Sequence, residues 1–413
     1  MIISRVNYRY KRWSNLRVRA WQVFWYRSLP YGLLSTRFLR RKLTHSQQLH
    51  RQLAKVAEPR IPRLIYWPLN GWIVCRWILF HAWRSSYRAV CRYGPAVVTS
   101  HDLSLLKQYR CVLILALAHT VPPSSFYQFR LYTEKRKFWD YIYPHELPAF
   151  HYRYDSKSSV DERLLLSDKI GFAAEMKALG VVVASGDLLP SGCTFKDLPI
   201  EAGQLLFCKP RIGNQSRGAF KLRCAQSGRI NLSTISGFEI ADNDACDFIN
   251  KLMSEHDYIA QPYYHHHPDM RALEPANDEA ITLRVITRNT KSLISVYCAY
   301  IEVPVRIEQK KYYFSVQVNI ESGVLVPESL DLQLYPKTEA YRTIQSAASD
   351  LQVPHWADTL KMVQRAHTHF NSIYSIAWDL IITKVTPVLL EGNSNWRIDL
   401  PQQLCGGILA DVP

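Results

Sequence analysis

The stretch WDLIITKVTPVLLEGNSNW, residues 378–396, decides how this chain is read. Two apolar, β-branched runs, AWDLII and PVLLEGN, flank the polar TKVT, a pattern that fits a hairpin better than a helix. With the turn centred near Val385, Asp379 falls level with Glu391. Residues two apart share a strand face, so Glu391 and Asn393 point the same way, and a cross-strand neighbour lies roughly 4.5 to 5.5 Å off. Two carboxylates and a carboxamide oxygen then converge. Like charges that close repel unless a cation lies between them, and a hard oxygen set suits Mg²⁺ beside phosphates. The plainer alternative is a hairpin end with solvated polar residues, and this segment alone leaves both open.

A second constellation lies upstream in LLFCKPRIGNQSRGAFKL, residues 205–222. A strand-like run delivers Lys209, Pro210 stops it, and Gly213 and Gly218 bracket a loop carrying Arg211, Ser216 and Arg217. Glycines let backbone N–H groups turn toward a phosphate, and the basic side chains add charge. The stretch matches neither GxxxxGK[ST] nor GxGxxG, so neither a P-loop nor a Rossmann site is supported. A surface hairpin loop accounts for it equally well. Before it, SDKIGFAAEMKALG reads as a helix: Ser167 or Asp168 caps it, Phe172, Met176 and Leu179 recur at helical spacing, and Gly180 closes it before the strand-like VVVAS.

The charge is unevenly placed. The 413 residues carry a net +16, yet residues 1–92 hold 19 Lys and Arg against one acid, Glu58, and so carry +18. The rest sums to −2, so a basic balance implying nucleic acid or anionic membrane applies only to the N-terminal segment, which also holds 7 of the 11 tryptophans. Arg, Lys and aromatics interleave there as in nucleic-acid binders, but no nucleic-acid module is recognisable, so nucleic acid is not the expected partner. The expectation is a helical arm packed on the rest or touching anionic lipid. Residues 64–83, LIYWPLNGWIVCRWILFHAW, are interrupted by Pro68, Asn70 and Arg76, and a central Arg costs about 2.5 to 3.5 kcal/mol on insertion scales. They read as a helix that is buried or lies at an interface, and Pro30, Pro59, Pro62 and Pro68 suggest several short helices. Nine scattered cysteines without CxxC spacing point to a reducing compartment. With no apolar core in the first 20 residues, a secretory signal is not expected, so the expected place is cytoplasmic, with the arm peripheral at the inner face of the membrane. His265, His266 and His267 cannot all face one ion from regular backbone and read as a loop, while Cys208 reads as a small apolar filler.

The chain divides into the arm (1–98), a connecting region (99–165), a helix–strand segment with the basic loop (166–258), and a second segment (259–413) with strand-like ITLRVIT and LISVYCAYIEV and a helix from about Ala357 to Tyr374. The class is α+β.

Taken in order, SDKIGFAAEMKALGVVVAS, FCKPRIGNQSRG, YIAQPYY, TLRVIT and AWDLIITKVTPVLLEGN resemble the ATP-grasp superfamily, most nearly the sugar-transfer associated ATP-grasp family, over about residues 100–410. The resemblance implies an ATP-grasp fold of two α+β subdomains clasping ATP. It makes Lys169 and Lys209 the phosphate-holding lysines, the loop from Arg211 to Gly218 the flap over the triphosphate, and Ala260 and Gln261 the hinge strand at the adenine. It makes Asp379, Glu391 and Asn393 the Mg²⁺ ligands and Arg284 the arginine facing the transferred phosphoryl group. The activity implied is a ligase passing through an acylphosphate, with ATP and Mg²⁺ as cofactors and a small carboxylate or sugar-linked substrate in cell-surface polysaccharide synthesis. The alternatives are a kinase acting on a hydroxyl and a non-catalytic nucleotide-binding accessory protein. Ile281 and Thr282 stand where an Asn and Thr are expected before Arg284, and IEVPVRIEQKKYYFSVQVNIESG replaces a Gly-rich segment, so the chain departs from the family's pattern on the substrate side. Trp396, Arg397 and Asp399 lie where substrate could arrive, though packing is the expected role of Trp396.

Overall fold

The structure, a computed structural model, describes residues 27–30, 32–55, 63–133, 137–155, 157–212, 218–227, 230–234, 239–240, 242–273, 279–290, 293–307, 310–332 and 337–410. Gly213, Ser216 and Arg217 of the basic loop lie outside them. The chain forms two compact units, Met1–Arg153 with Arg397–Pro413, and Tyr154–Trp396.

Among the described residues, the first unit is helical. Helix α1 (His45–Leu53) opens on a capping box in which Thr44 and Gln47 satisfy each other's backbone N–H. Helix α2 (Arg63–Arg76) passes through a wide π turn, Trp77–His81, into α3 (Ala82–His101). Pro68 therefore does not break the arm as expected. The carbonyl that loses its partner is that of Leu64, on a turn open to water, where solvent can satisfy it. Buried positions run Ile73, Trp77, Ala82, Ser86, Val90, with the single five-residue step across the π turn. That inserted residue keeps both Trp77 and Ala82 inward. Trp77 donates its indole N–H to the Ala116 carbonyl, 2.8 Å, on α4 (Leu105–His119), and α5 (Pro123–Gln128) follows.

The second unit starts with α6 (Val160–Ser167) and α7 (Lys169–Ala178). Asp168, not Ser167, caps α7 by accepting from the Ile170 N–H, and Gly180 ends it at φ +69° as the motif requires. One antiparallel sheet contains β1 (Asp187–Leu189), β2 (Leu205–Pro210), β3 (Phe220–Cys224), β4 (Ile230–Thr234), β5 (Glu239–Ile240) and β6 (Tyr258–Pro262), in the order β1-β6-β2-β3-β4-β5. Helix α8 (Asp242–Glu255) packs Ala245, Ile249 and Met253 against its inner face. The other contains β7 (Thr282–Thr290), β8 (Leu293–Ile307), β9 (Lys310–Val318), β10 (Leu325–Val326), β11 (Ser375–Ile382) and β12 (Pro387–Asn393), in the order β10-β9-β8-β7-β11-β12. Helix α9 (Trp356–His369) adds Val363 and Ala366 to its core and ends five residues before the expected Tyr374.

The α+β class and the helical arm are as expected. VVVAS is not a strand: it makes one parallel bridge, Val183 to Leu389, flanked by the hydrogen bonds Ala184 N–H to Leu389 O and Leu389 N–H to Val182 O. The chain then turns at Gly186, where an added Cβ would sit 2.2 Å from the Ala260 carbonyl oxygen, so only glycine fits that approach. Last comes α10 (Asp399–Cys405), which belongs to the first unit. Its buried Gln402 amide bonds both the N–H and the carbonyl of Ile142, each at 2.8 Å.

Candidate active site

Three side chains form one transverse row across neighbouring strands. Asp379 of β11 pairs with Arg284 of β7 on one side and Glu391 of β12 on the other. The Arg284 guanidinium donates two parallel bonds to the Asp379 carboxylate, Nε to Oδ1 at 2.5 Å and Nη2 to Oδ2 at 2.8 Å. Asn393, two residues past Glu391, donates its amide Nδ2 to Glu391 Oε1 at 3.1 Å and to Asp379 Oδ2 at 3.4 Å. The convergence expected from alternation is therefore present.

The register behind it differs from the expectation. The ladder pairs Ile382 with Pro387 and Leu380 with Leu389, which centres the turn between Lys384 and Val385. Continued regularly, it would set Asp379 against Leu390. A bulge between Asp379 and Leu380 absorbs one extra residue of β12, and Glu391 moves into line.

Burial acts on this row. It pushes the Asp379 carboxyl up, to about 6, with Glu391 adding to the rise and Arg284 opposing it. Arg284 loses solvation too, but Asp379 holds it charged. Chemically the row fits a divalent cation: two carboxylates and a carboxamide oxygen are hard donors. Among the described residues no three His, Cys, Asp or Glu side chains form a metal cluster, so such an ion would also need the Asn393 oxygen and oxygens from outside the protein. Asn393 now presents Nδ2 to both carboxylates, so ligation requires its amide to turn over.

One lysine comes from β2 of the other sheet and one from the start of α7. Lys209 stands on β2 on the face opposite Cys208, which is fully buried as a filler and whose thiol burial raises to about 12. Burial lowers Lys209 to about 8, Glu391 and Asp379 oppose that, and Lys169 reinforces it. Lys169, the first residue of α7, is lowered by burial and raised by Glu391 and Asp168. Both ammonium groups thus lie within electrostatic reach of the carboxylate row.

Lys169 and Lys209 line a cavity of about 230 Å³ together with Gln261, Lys177, Ser185 and Leu390 among others, whereas Arg284, Asp379, Glu391 and Asn393 are not in its lining. Gln261 is in the lining. Ala260 is not: its side chain is in the core, and its backbone pairs with Asp187 and Cys208. β1 covers β6 only as far as Ala260, so the free backbone edge begins at Gln261. Arg211 is also absent from the lining. It donates two 2.8 Å bonds to Asp168 and fixes the base of the loop to the α7 cap, while Lys169 Nζ lies 3.4 Å from its carbonyl oxygen. Gly218 closes the loop at φ +77°, its carbonyl accepting the Tyr258 hydroxyl at 3.1 Å. Trp396 is buried and tilted against Tyr297, a packing role, and Arg397 pairs with Asp399.

The sequence reading missed Lys177, Ser185 and Gly186. One signal was available: Ile170, Ala173, Ala174 and Lys177 recur at i, i+3, i+4 and i+7, one helix face, and all four line the cavity.

No curated protein matches the sequence. Among solved structures, the chain is similar to L-amino acid ligase from Bacillus licheniformis (10% identity, 56% of this chain and 41% of that one, TM-score 0.31). It is similar also to D-alanine-D-alanine ligase from Helicobacter pylori (10% identity, 61% and 60%, TM-score 0.37) and to D-cycloserine synthetase (12% identity, 70% and 78%, TM-score 0.36). The chain thus spans well under half of the first of these proteins. Residues 245–410, which carry Gln261, Arg284, Asp379, Glu391 and Asn393, match the family described as sugar-transfer associated ATP-grasp.

Proposed function

We propose that this protein is an ATP- and Mg²⁺-dependent ligase that activates a carboxylate of a sugar-linked or other small substrate as an acylphosphate, which a nucleophile then captures. The observation that carries the proposal is that Lys169 and Lys209 line one cavity with Gln261 and both feel the charge of Glu391 in the Arg284–Asp379–Glu391 row. The bound Mg²⁺ nucleotide supplies the phosphoryl group and part of its charge neutralisation. Lys169 and Lys209 hold phosphate oxygens, Gln261 meets the base at the open edge of β6, and Arg284 is positioned to neutralise charge on the phosphoryl group in flight, where alignment and electrostatics do most of the work. Arg284 can do so because its fork is already oriented by Asp379. A sugar-linked substrate is favoured by the name of the matching family.

The test is ADP release by purified protein with ATP, Mg²⁺ and a panel of sugar acids and amines, with hydroxylamine present. A trapped hydroxamate supports the ligase reading. A phosphorylated hydroxyl replaces it with a kinase, and nucleotide binding without turnover replaces it with an accessory role.

A further inference from the structure

The helical run from α2 through the π turn into α3 buries one face and presents another. The presented face is apolar: Leu64 is 91% exposed, Ile78 46%, Leu79 64%, Phe80 67%, Trp83 47% and Tyr87 64%. The π turn makes this possible. It keeps Trp77 and Ala82 inward and leaves the three apolar residues 78–80 outside, where a regular turn would have carried part of the stripe round the helix. At about 100° per residue with one residue inserted, Leu64, Ile78, Leu79, Trp83 and Tyr87 fall within a sector of roughly 100°, spread along about 35 Å of the helical run. Phe80 borders the sector together with Arg76, Arg84 and Arg88.

Charge identifies what this face meets. Between Glu58 and Asp102 there is no acidic residue, while six arginines lie in that interval. A surface that takes aromatic and aliphatic side chains and tolerates only cations beside them must be apolar below and anionic above, which is the profile of an anionic phospholipid leaflet. No described helix is long and apolar enough to cross a membrane, so the run lies in the plane of the interface. We infer that this face docks on an anionic phospholipid membrane, Leu79, Phe80 and Trp83 entering the headgroup–acyl boundary and Arg84 and Arg88 meeting lipid phosphates.

The experiment is cosedimentation of the full chain with vesicles of phosphatidylcholine alone and of phosphatidylcholine mixed with phosphatidylglycerol. Binding to the mixed vesicles should exceed binding to phosphatidylcholine about tenfold or more and weaken with salt. Leu79→Glu with Phe80→Glu should remove most of it, and Arg84→Gln with Arg88→Gln should remove the preference for the anionic lipid. All variants should keep the parent circular dichroism spectrum and nucleotide binding. No preference for anionic vesicles overturns the inference, as does binding that neither variant alters, which would assign it to other basic segments. Self-association of the parent chain in the absence of lipid, abolished by Leu79→Glu with Phe80→Glu, would also overturn it by making a second copy the occupant.

Discussion

Asp379 lies directly across from Glu391 because Leu390 is the extra residue of a β-bulge. Opposed residues of an antiparallel pair share a face, and a one-residue slip would send Glu391 to the other. The row therefore depends on an irregularity in the ladder, and bulges recur where a strand re-aims a side chain at a site.

If the row holds a cation, removing one carboxylate must weaken it without unfolding the sheet. Glu391→Gln, close to isosteric, should lower Mg²⁺-dependent ADP release about 100-fold, the upper range for perturbing a metal site. Isothermal titration with Mg²⁺ and ATP checks that the loss lies in the site. Unchanged turnover would mean that Glu391 is no ligand.

Lys209 gives a pH dependence with a definite sign. Its ammonium is lowered to about 8, so it is charged below pH 8 and neutral above. Phosphates need the charged form, hence the KM for ATP should rise as pH increases through about 8. Bound phosphate favours the ammonium, so kcat should stay flatter over the same range. Lys209→Arg keeps its charge throughout and should flatten the KM profile. Parallel KM profiles for parent and variant would remove Lys209 from phosphate binding.

How far the chain could be read from sequence follows from the range of each signal. The Asp168 cap, the Gly180 stop and the β11–β12 alternation are local, and all three stand in the structure. The hairpin centre was placed half a residue off, and the bulge cancelled that error for Asp379 and Glu391. Periodicity carries no sign of a bulge or of the π turn, since both are fixed by what must be buried on the far side. VVVAS has strand composition, yet only one residue of it finds a partner, because the neighbouring edge of β12 is contacted at Leu389 alone. The Arg284–Asp379 pair spans 95 residues and the Gln402–Ile142 bonds span 260. Such contacts are legible only by analogy, and the one between Arg284 and Asp379 was expected as two separate roles.

Behind the row, Thr287 is a junction. Its hydroxyl lies 2.6 Å from His367 Nδ1 and accepts the Trp378 indole N–H at 2.8 Å, and His367 Nε2 sits 2.9 Å from the Ile373 carbonyl. With Nε2–H donating to that carbonyl, Nδ1 accepts the threonine proton, so the histidine is neutral, in keeping with burial lowering it to about 4. Thr287→Val leaves two buried polar groups without partners and should cost about 2 to 5 kcal/mol. Trp378 adjoins Asp379, so hydrogen exchange over residues 375–382 should rise as the midpoint in urea falls. A variant as stable as the parent would show that the network is dispensable.

The first unit has its own titrating pair. His50 Nδ1 lies 2.9 Å from Glu146 Oε1 and Nε2 3.0 Å from the Trp139 carbonyl, so both ring nitrogens face acceptors and the imidazolium is the form that fits. Burial alone would lower His50, but Glu146's charge and hydrogen bond and the Trp139 carbonyl raise it above 6.5. Glu146 is raised by burial but falls below 4.5 on balance through His50 and the Tyr143 N–H. The histidine contribution is complete below pH 6.5 and is lost as pH rises through the higher folded value. The glutamate contribution is complete above pH 4.5 and is lost as pH falls through the lower one. Stability of this unit should therefore be greatest between about pH 4.5 and 6.5. Glu146→Gln, which strands a buried imidazolium or forces it neutral, should cost about 3 to 5 kcal/mol at pH 6 and abolish the acid limb. Hydrogen exchange of peptides covering 45–53 and 141–150, followed from pH 4 to 8 with rates corrected for intrinsic exchange, reads both effects. Protection that is flat across that range in the parent chain would show that the two groups are not an ion pair.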